Sequence, residues 1–479
     1  MGRLAGKLAR LGGAGPGSRA GLSHDERLEH PAAADPKQAR IAALRQTLDG
    51  MAARERSGLR RSVASGEADA RDATDPGDTP EEGLRARVLR EAPALATHGP
   101  ARALPGHPED TRHGCVHTVR SWLEPHHCHG RVPVRSALDA ASARVAELAL
   151  DPSLSGVDLR RMLLVDTETT GLGTAAGTVP FLVGVGYFED QSLVVEQLLL
   201  TRLGEEGPLL RRLAERIGEA SCVVSYNGKS FDWPLLRARF VLNRIAAPTL
   251  PPHLDLLHCA RRLYKRRLAR VRLVDMEREV LAFVREHDVD GSEIPGIFLH
   301  FLRSGEPGRL DAVIEHNGND LIALAAILGE LAARYAALRR ELEPDEQLGF
   351  ATVAERAGNA ALARAFAEAA GEGGGDARCT ADAWLLAARL ARRERRLKDE
   401  GDALAHALRA RPDDARVHLA LAKFHEHRSK DLAEALRHAR HTCPLETEAE
   451  RDHRVGRLEA RLSRRSSTPR LPLSAGSRS

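Results

Sequence analysis

The chain has 479 residues, a formal net charge of +4, a hydrophobic share of 42% and an aromatic share of 4%. That length accommodates two or three domains, and so small a net charge does not by itself mark a nucleic-acid partner, so any basic surface has to be local. Six cysteines without a CxxC pair argue against a disulfide framework, and no run of about 18 apolar residues offers a membrane span. The opening MGRLAGKLARLGGAGPGSRAG is basic but lacks the apolar core of a signal peptide, so the expectation is a soluble, cytoplasmic protein with no membrane partner.

Residues 1–95 are rich in Ala, Gly, Arg, Asp and Pro and poor in large apolar residues. They cannot bury enough surface to offset the entropy of ordering, so a mostly disordered region is predicted, with short helices near Ala39–Met51. Residues 96–157 read as a small extension, with strands over Val116–Leu123 and Arg131–Val134 and a helix over Ser136–Leu150. From 158 to 340 the pattern is α/β. Met162–Asp166, Phe181–Phe188, Leu193–Leu200 and Cys222–Tyr226 read as strands, the second and third forming a hairpin around Glu189–Gln191. His253–Leu257 reads as an edge strand or a helix entry. Helical spacing covers Gly204–Ala220, Phe231–Leu242, Leu256–Leu268, Leu273–Arg285, Ile297–Arg303 and Leu310–Ala336. A meander of three strands followed by helix, strand and helices predicts a mixed sheet covered on both faces. Residues 345–462 read as helical throughout. Ala381–Arg392, Asp399–Leu408, Ala415–His427 and Asp431–His441 have the spacing of one or two tetratricopeptide-like units. Residues 463–479 read as a flexible tail.

The chemistry concentrates at the end of the first α/β strand, in Leu163-Leu164-Val165-Asp166-Thr167-Glu168-Thr169-Thr170-Gly171-Leu172. On a strand, residues two apart face the same way, so Asp166 and Glu168 project side by side. Two carboxylates at the end of a buried strand repel each other and lose hydration, a cost that a divalent cation removes. All-oxygen donors suit Mg²⁺ or Mn²⁺. Asn227-Gly228-Lys229-Ser230-Phe231-Asp232 follows the fourth strand and opens a helix, which brings Asp232 toward the same edge. In His316-Asn317-Gly318-Asn319-Asp320, His316 and Asp320 are four apart and share a helix face. Four carboxylates, Asp166, Glu168, Asp232 and Asp320, can hold two cations about 3.5–4 Å apart, the spacing of two-metal phosphoryl-transfer sites. His316 is placed to take a proton from water.

DTETTGL, NGKSFD and HNGND, in that order, are similar to the three exonuclease motifs of the DnaQ-like 3′–5′ exonuclease superfamily. More closely, the order FLVGVGYF, NGKSFDWPLL, HLDLLHCARRLY, EIPGIFLHFL and HNGNDLIAL resembles the YprB-type ribonuclease-H-like domain family, over about residues 158–335. The preceding HCHGRVPV and the following helical repeats share that likeness. The resemblance implies an α/β fold with a mixed five-stranded ribonuclease-H-like sheet flanked by helices, then the tetratricopeptide-like helical region. It makes Asp166, Glu168, Asp232 and Asp320 the ligands of two Mg²⁺ or Mn²⁺ ions and puts His316 in the place of the general base. One departure is visible. Superfamily members with histidine here usually set it five residues before the last aspartate, and this chain uses four.

Arg261–Arg272 contains seven basic residues in twelve around Tyr264. Such a stretch can track a phosphate backbone, and Arg262, Lys265, Arg266 and Arg267 join Thr169 and Asn227 as the expected nucleic-acid contacts. Asp255 reads as a helix cap rather than a fifth acid of the site. The cluster His113, Cys115, His117, His126, His127, Cys128 and His129 fits no common zinc finger and reads as local polar contacts. The resulting expectation is a metal-dependent nuclease acting on DNA or RNA, by the resemblance a 3′–5′ exonuclease. The alternatives are a structure-selective endonuclease, or a non-catalytic nucleic-acid-binding scaffold whose helical repeats recruit a protein partner.

Overall fold

The computed structural model describes residues 103–466, apart from 172–176, 339 and 442. The expectations for residues 1–95 and for 467–479 lie outside the described residues. No helix among the described residues is long and apolar enough to cross a membrane.

The described chain opens with a hairpin of β1 (His107–Thr111) and β2 (Gly114–Leu123), then a small ladder of β3 (Cys128–His129) and β4 (Val132–Pro133), then α1 (Ser142–Ala149). The α/β domain follows as β5 (Met162–Thr169), β6 (Pro180–Glu189), β7 (Ser192–Leu199), α2 (Glu206–Glu219), β8 (Cys222–Ser225), α3 (Asp232–Leu242), β9 (His253–Asp255) and α4 (Leu256–Tyr264). Next come the short α5 (Leu273–Met276), α6 (Ile294–Ser304) and the long α7 (Leu310–Ala336). The strands form one sheet in the order β1-β2-β7-β6-β5-β8-β9. β5 pairs antiparallel with β6 and parallel with β8. The five expected strands are therefore joined by two more. β2 docks along β7, with Trp122 opposite Val194, and covers what would otherwise be an exposed strand edge.

Strand alternation sorts the core. Met162 and Leu164 join Leu193, Val195 and Val224 on one face, whereas Leu163 and Val165 join Val183, Val185 and Leu198 on the other. α7 packs on both cores: Leu310, Val313 and Ile314 belong to the second, and Leu321 and Leu324 to the first. His316–Asp320 lies at this crossover.

Three helices depart from expectation, the first being Ser136–Leu150, which divides into a 3₁₀ turn, Val134–Asp139, and α1. α4 stops at Tyr264, and the helix predicted over Leu273–Arg285 gives way at Met276 to a π turn, Glu277–Leu281, closed by Ala282 at φ 55°. Distant donors take the carbonyls that further helix would have used. The Arg131 amide reaches Leu281 O at 2.9 Å, and Arg131 and Arg334 both reach Val280 O at 3.1 Å. The chain after the turn is thereby released to deliver Arg285 to the sheet's end.

The remaining helices are α8 (Pro344–Arg356), α9 (Ala360–Glu372), α10 (Ala377–Arg393), α11 (Leu397–Ala410), α12 (Ala415–Phe424), α13 (Leu432–Ala439) and α14 (Glu448–Ser466). α14 runs four residues into the stretch read as tail. These helices do not stand apart from the sheet. Phe350, Phe366, Leu386 and Leu404 share a continuous core with Leu164, Val224 and Leu324.

Candidate metal centre

The four carboxylates meet at the end of β5. Burial, and for three of them the charges of the neighbouring acids, raises their pKa values. Burial, then the charges of Asp320, Glu168 and Asp232, hold Asp166 well above the usual carboxylate range. Burial, then Asp320 and Asp232, push Glu168 up to about 8. Burial raises Asp232 to about 6 against the pull of a hydrogen bond from Thr167 Oγ1. Asp320 is also raised by burial, although Arg285 and His316 oppose it. Groups brought together from residues 166 to 320 thus resist ionising together, which is the state a divalent cation would relieve.

Each carboxylate is held by its own element. Asp166 and Glu168 share one face of β5. Asp232 opens α3, and a Cβ at Gly228 would lie 3.2 Å from its Oδ2, so the preceding turn packs directly on it. Asp255 holds that turn, accepting from the amides of Asn227 at 2.8 Å and Lys229 at 3.1 Å while capping α4 through Leu257 N at 3.1 Å. Asn227 itself sits at φ 69°, a conformation Asn tolerates better than most residues. Thr169 lies at a register shift at the end of β5 and donates to Gly171 O at 2.6 Å.

His316 and Asp320 point from one face of α7 into the cluster. His316 Nε2 lies 3.9 Å from Glu168 Oε1 and 3.8 Å from Asp320 Oδ2. Ligand atoms of Glu168, His316 and Asp320 fall within 4.8 Å of one another. The four-residue spacing therefore serves to put the imidazole beside the acids.

Four contributing residues were not singled out from the sequence. Asn317, fully buried, donates its amide to Asp166 Oδ2 at 2.8 Å and accepts from Gln197 Nε2 at 2.9 Å. Asp288 Oδ1 lies 2.7 Å from His316 Nδ1. Arg285 Nη1 also lies 3.4 Å from that nitrogen, but the much shorter contact to a carboxylate, which can only accept, puts the proton on Nδ1 and turns the Nε2 lone pair toward the acids. Arg285 donates to Asp320 and to both oxygens of Glu277, at 2.8 and 3.0 Å, and its side chain is only 5% exposed. Glu277 in turn pairs with His129 at 2.7 Å, so the HCHG segment supports the site from behind. Asn317 had a sequence signal, its place inside HNGND; Arg285 and Asp288 had none beyond charge.

The basic stretch after β9 makes contacts within the chain. Arg262 donates to Leu148 O at 3.0 Å, Arg266 pairs with Asp345 at 3.1 Å and Asp382 at 2.8 Å, and Arg267 pairs with Glu279 at 3.0 Å. Tyr264 is fully buried, so it offers no face for base stacking. Lys265 is exposed. These arginines tie α4 and the chain just after it to α1, to the π turn and, through Arg266, to the C-terminal helices. The histidines of the 113–129 cluster also have separate partners: His113 contacts Glu215, His117 contacts Pro105 O, and His129 contacts Glu277.

A mixed sheet of three antiparallel strands continued by two parallel ones, with acids converging at the end of its central strand, defines the ribonuclease-H-like class. Residues 163–332 match the RNase H superfamily. The chain is 38% identical over 177 residues to YprB, an uncharacterized protein of Bacillus subtilis (strain 168). That match covers 36% of this chain and 43% of YprB, so the chain matches less than half the length of this relative. Residues 163–332 are thus an RNase H-superfamily domain, similar to that part of YprB.

Proposed function

We propose that this protein is a divalent-metal-dependent nuclease that hydrolyses phosphodiester bonds in DNA or RNA, and that it works as a 3′–5′ exonuclease. The observation that carries this reading is the meeting of Asp166, Glu168, Asp232 and Asp320, from three separate segments, in a partly buried cluster that resists ionisation. The donors fit the implied metal: all four are carboxylates, the ligand chemistry of Mg²⁺ and Mn²⁺.

In this reading Asp166, Glu168, Asp232 and Asp320 hold two Mg²⁺ or Mn²⁺ ions. Such ions, when bound, polarise the attacking water and offset charge on the phosphoryl group and leaving oxygen. His316 accepts the water's proton at Nε2, while Asp288 holds Nδ1–H and stabilises the imidazolium that forms. Asn317 keeps Asp166 oriented through its amide. Thr169 and Asn227 flank the acids and serve as contacts to the nucleic acid, with exposed Lys265 a further candidate from the basic stretch.

One observation favours a second reading. Arg285 occupies Asp320, a cation already neutralising one of the four acids. A domain that grips nucleic acid without cutting it would retain such a latch. Incubation of end-labelled single-stranded, duplex and hybrid oligonucleotides with the full chain, with and without Mn²⁺, separates the two. The nuclease reading expects metal-dependent release of mononucleotides from the 3′ end, abolished in Asp166→Ala. Internal cuts would make it a structure-selective endonuclease. Binding without cleavage, or full activity in Asp166→Ala, would overturn the nuclease reading.

A further inference from the structure

The C-terminal helices gather imidazoles that the carboxylate centre does not use. His425 opens a π turn, His425–Ser429, directly after α12. Glu434 and His438 lie four apart on α13 and share a face. One ligand atom from each of His425, Glu434 and His438 falls within 4.8 Å of the others.

The surrounding hydrogen bonds set the tautomers. His418 Nε2 lies 2.7 Å from Pro412 O, and a carbonyl can only accept, so Nε2 carries the proton and Nδ1 a lone pair. His438 Nδ1 lies 2.8 Å from that lone pair and must donate to it. The Nε2 of His438 is thereby left unprotonated. A second contact agrees: the guanidinium of Arg437, which can only donate, lies 3.3 Å from His438 Nε2. His441 stacks on His418 at a ring separation of 3.5 Å and steadies the relay. His425 Nδ1 is tied to Ser429 Oγ at 2.9 Å, which leaves Nε2 as its ligating nitrogen.

We propose that His425, Glu434 and His438 form a second metal site, for a divalent transition-metal ion of the zinc class, which clips the π turn to α13. The donor set is two imidazole nitrogens and one carboxylate, the set zinc accepts with a fourth position left to water. The carbonyl–imidazole–imidazole relay behind His438 is the outer support that metal-bound histidines characteristically have. His438 is 2% exposed, and its Nε2, left unprotonated by the relay, is the form of imidazole that binds metal. Arg437, exposed and paired with Glu434 at 2.9 Å, spans two of the three ligands as a cation that an incoming ion displaces. This site differs in kind from the carboxylate centre: imidazoles select zinc-like ions, carboxylates Mg²⁺ or Mn²⁺.

The test is calorimetric titration of the full chain with Zn²⁺ under excess Mg²⁺, in the wild type and in His425→Gln and Glu434→Gln. Both substituted side chains are partly exposed, and a thermal melt reports whether each variant folds. Co²⁺ absorption gives a second readout independent of any activity. The proposal expects one zinc equivalent in the wild type that each variant binds at least tenfold more weakly. It also expects visible Co²⁺ bands in the wild type that both variants lose, and a zinc-induced rise in melting temperature confined to the wild type. Equal zinc stoichiometry and affinity in the wild type and two folded variants would overturn it, as would a wild-type chain that takes up no zinc beyond its carboxylate centre.

Discussion

The Asn317 amide lies 2.8 Å from Asp166 Oδ2, and it does so because residue 184, opposite Asp166 on the neighbouring strand, is glycine. A Cβ at Gly184 would come within 2.2 Å of Asn317 Oδ1. The buried amide and the missing side chain are one device for holding the central carboxylate. Gly184→Ala should therefore push Asn317 off Asp166 and cost about 1–3 kcal/mol of stability, the usual range for overpacking. Asn317→Asp should cost more in metal-free protein, because it buries another negative charge beside Asp166, and added Mn²⁺ should recover part of the loss. Urea denaturation with and without metal checks both.

The raised carboxylates make the metal-free fold sensitive to pH. Glu168 titrates near 8 in the fold against 4.5 as an ordinary carboxyl, so the folded state binds the extra proton. Its protonation supports the metal-free fold fully below pH 4.5 and fades as pH rises through about 8. Histidines such as His253, held near 4 by burial, titrate in the opposite sense, so the informative quantity is a difference. The stability of metal-free Glu168→Gln minus that of metal-free wild type should grow between pH 5 and pH 8. The expected growth is on the order of 2–4 kcal/mol, at about 1.4 kcal/mol per pKa unit. A gap that stays constant across this range would show that Glu168 is not held protonated.

A different buried acid secures the added strands. Glu196 on β7 is fully buried and receives Arg212 at 2.9 Å, Arg216 at 2.7 Å and Arg120 from β2. Burial alone would raise its pKa, but the hydrogen bonds from Arg216 and Arg120 hold it at about 2. Glu196→Gln strands these arginines and should cost about 3–5 kcal/mol, as breaking a buried ion pair does. It should leave Mn²⁺ affinity within twofold, because Glu196 serves the sheet's edge and not the carboxylate cluster. Chemical denaturation and a metal titration on the same variant separate the two effects.

Arg266 distinguishes a joint from a nucleic-acid contact. It bridges Asp345 and Asp382 on the C-terminal helices and is partly exposed, so Arg266→Gln should cost no more than about 1 kcal/mol. Oligonucleotide affinity, measured by fluorescence anisotropy, should be unchanged within twofold. A large loss of affinity with unchanged stability would restore the phosphate-tracking role.

The sheet and its acids were legible because their signals are local. The apolar run Leu163–Val165 marks a buried strand, its period of two aligns Asp166 with Glu168, and the spacing of Leu310–Ala336 matches the observed helix. What was not legible depends on contacts distant in sequence. Arg285 reaches Asp320 only because Arg131 and Arg334 take the carbonyls of a turn predicted as helix, where no Gly or Pro announces a break. Likewise, a run of arginines looks the same whether its partner is a phosphate or Asp345, Asp382 and Glu279. Asp288 sits in a segment without periodicity, so its place behind His316 follows from the fold alone.

The most direct measurement is a calorimetric titration of the full metal-free chain with Mn²⁺, beside the Asp166→Asn variant. Binding by the wild type, weakened at least tenfold in a variant that still folds, is the result expected of four carboxylates that share cations. Absence of binding at millimolar Mn²⁺, or equal binding by both proteins, would contradict it.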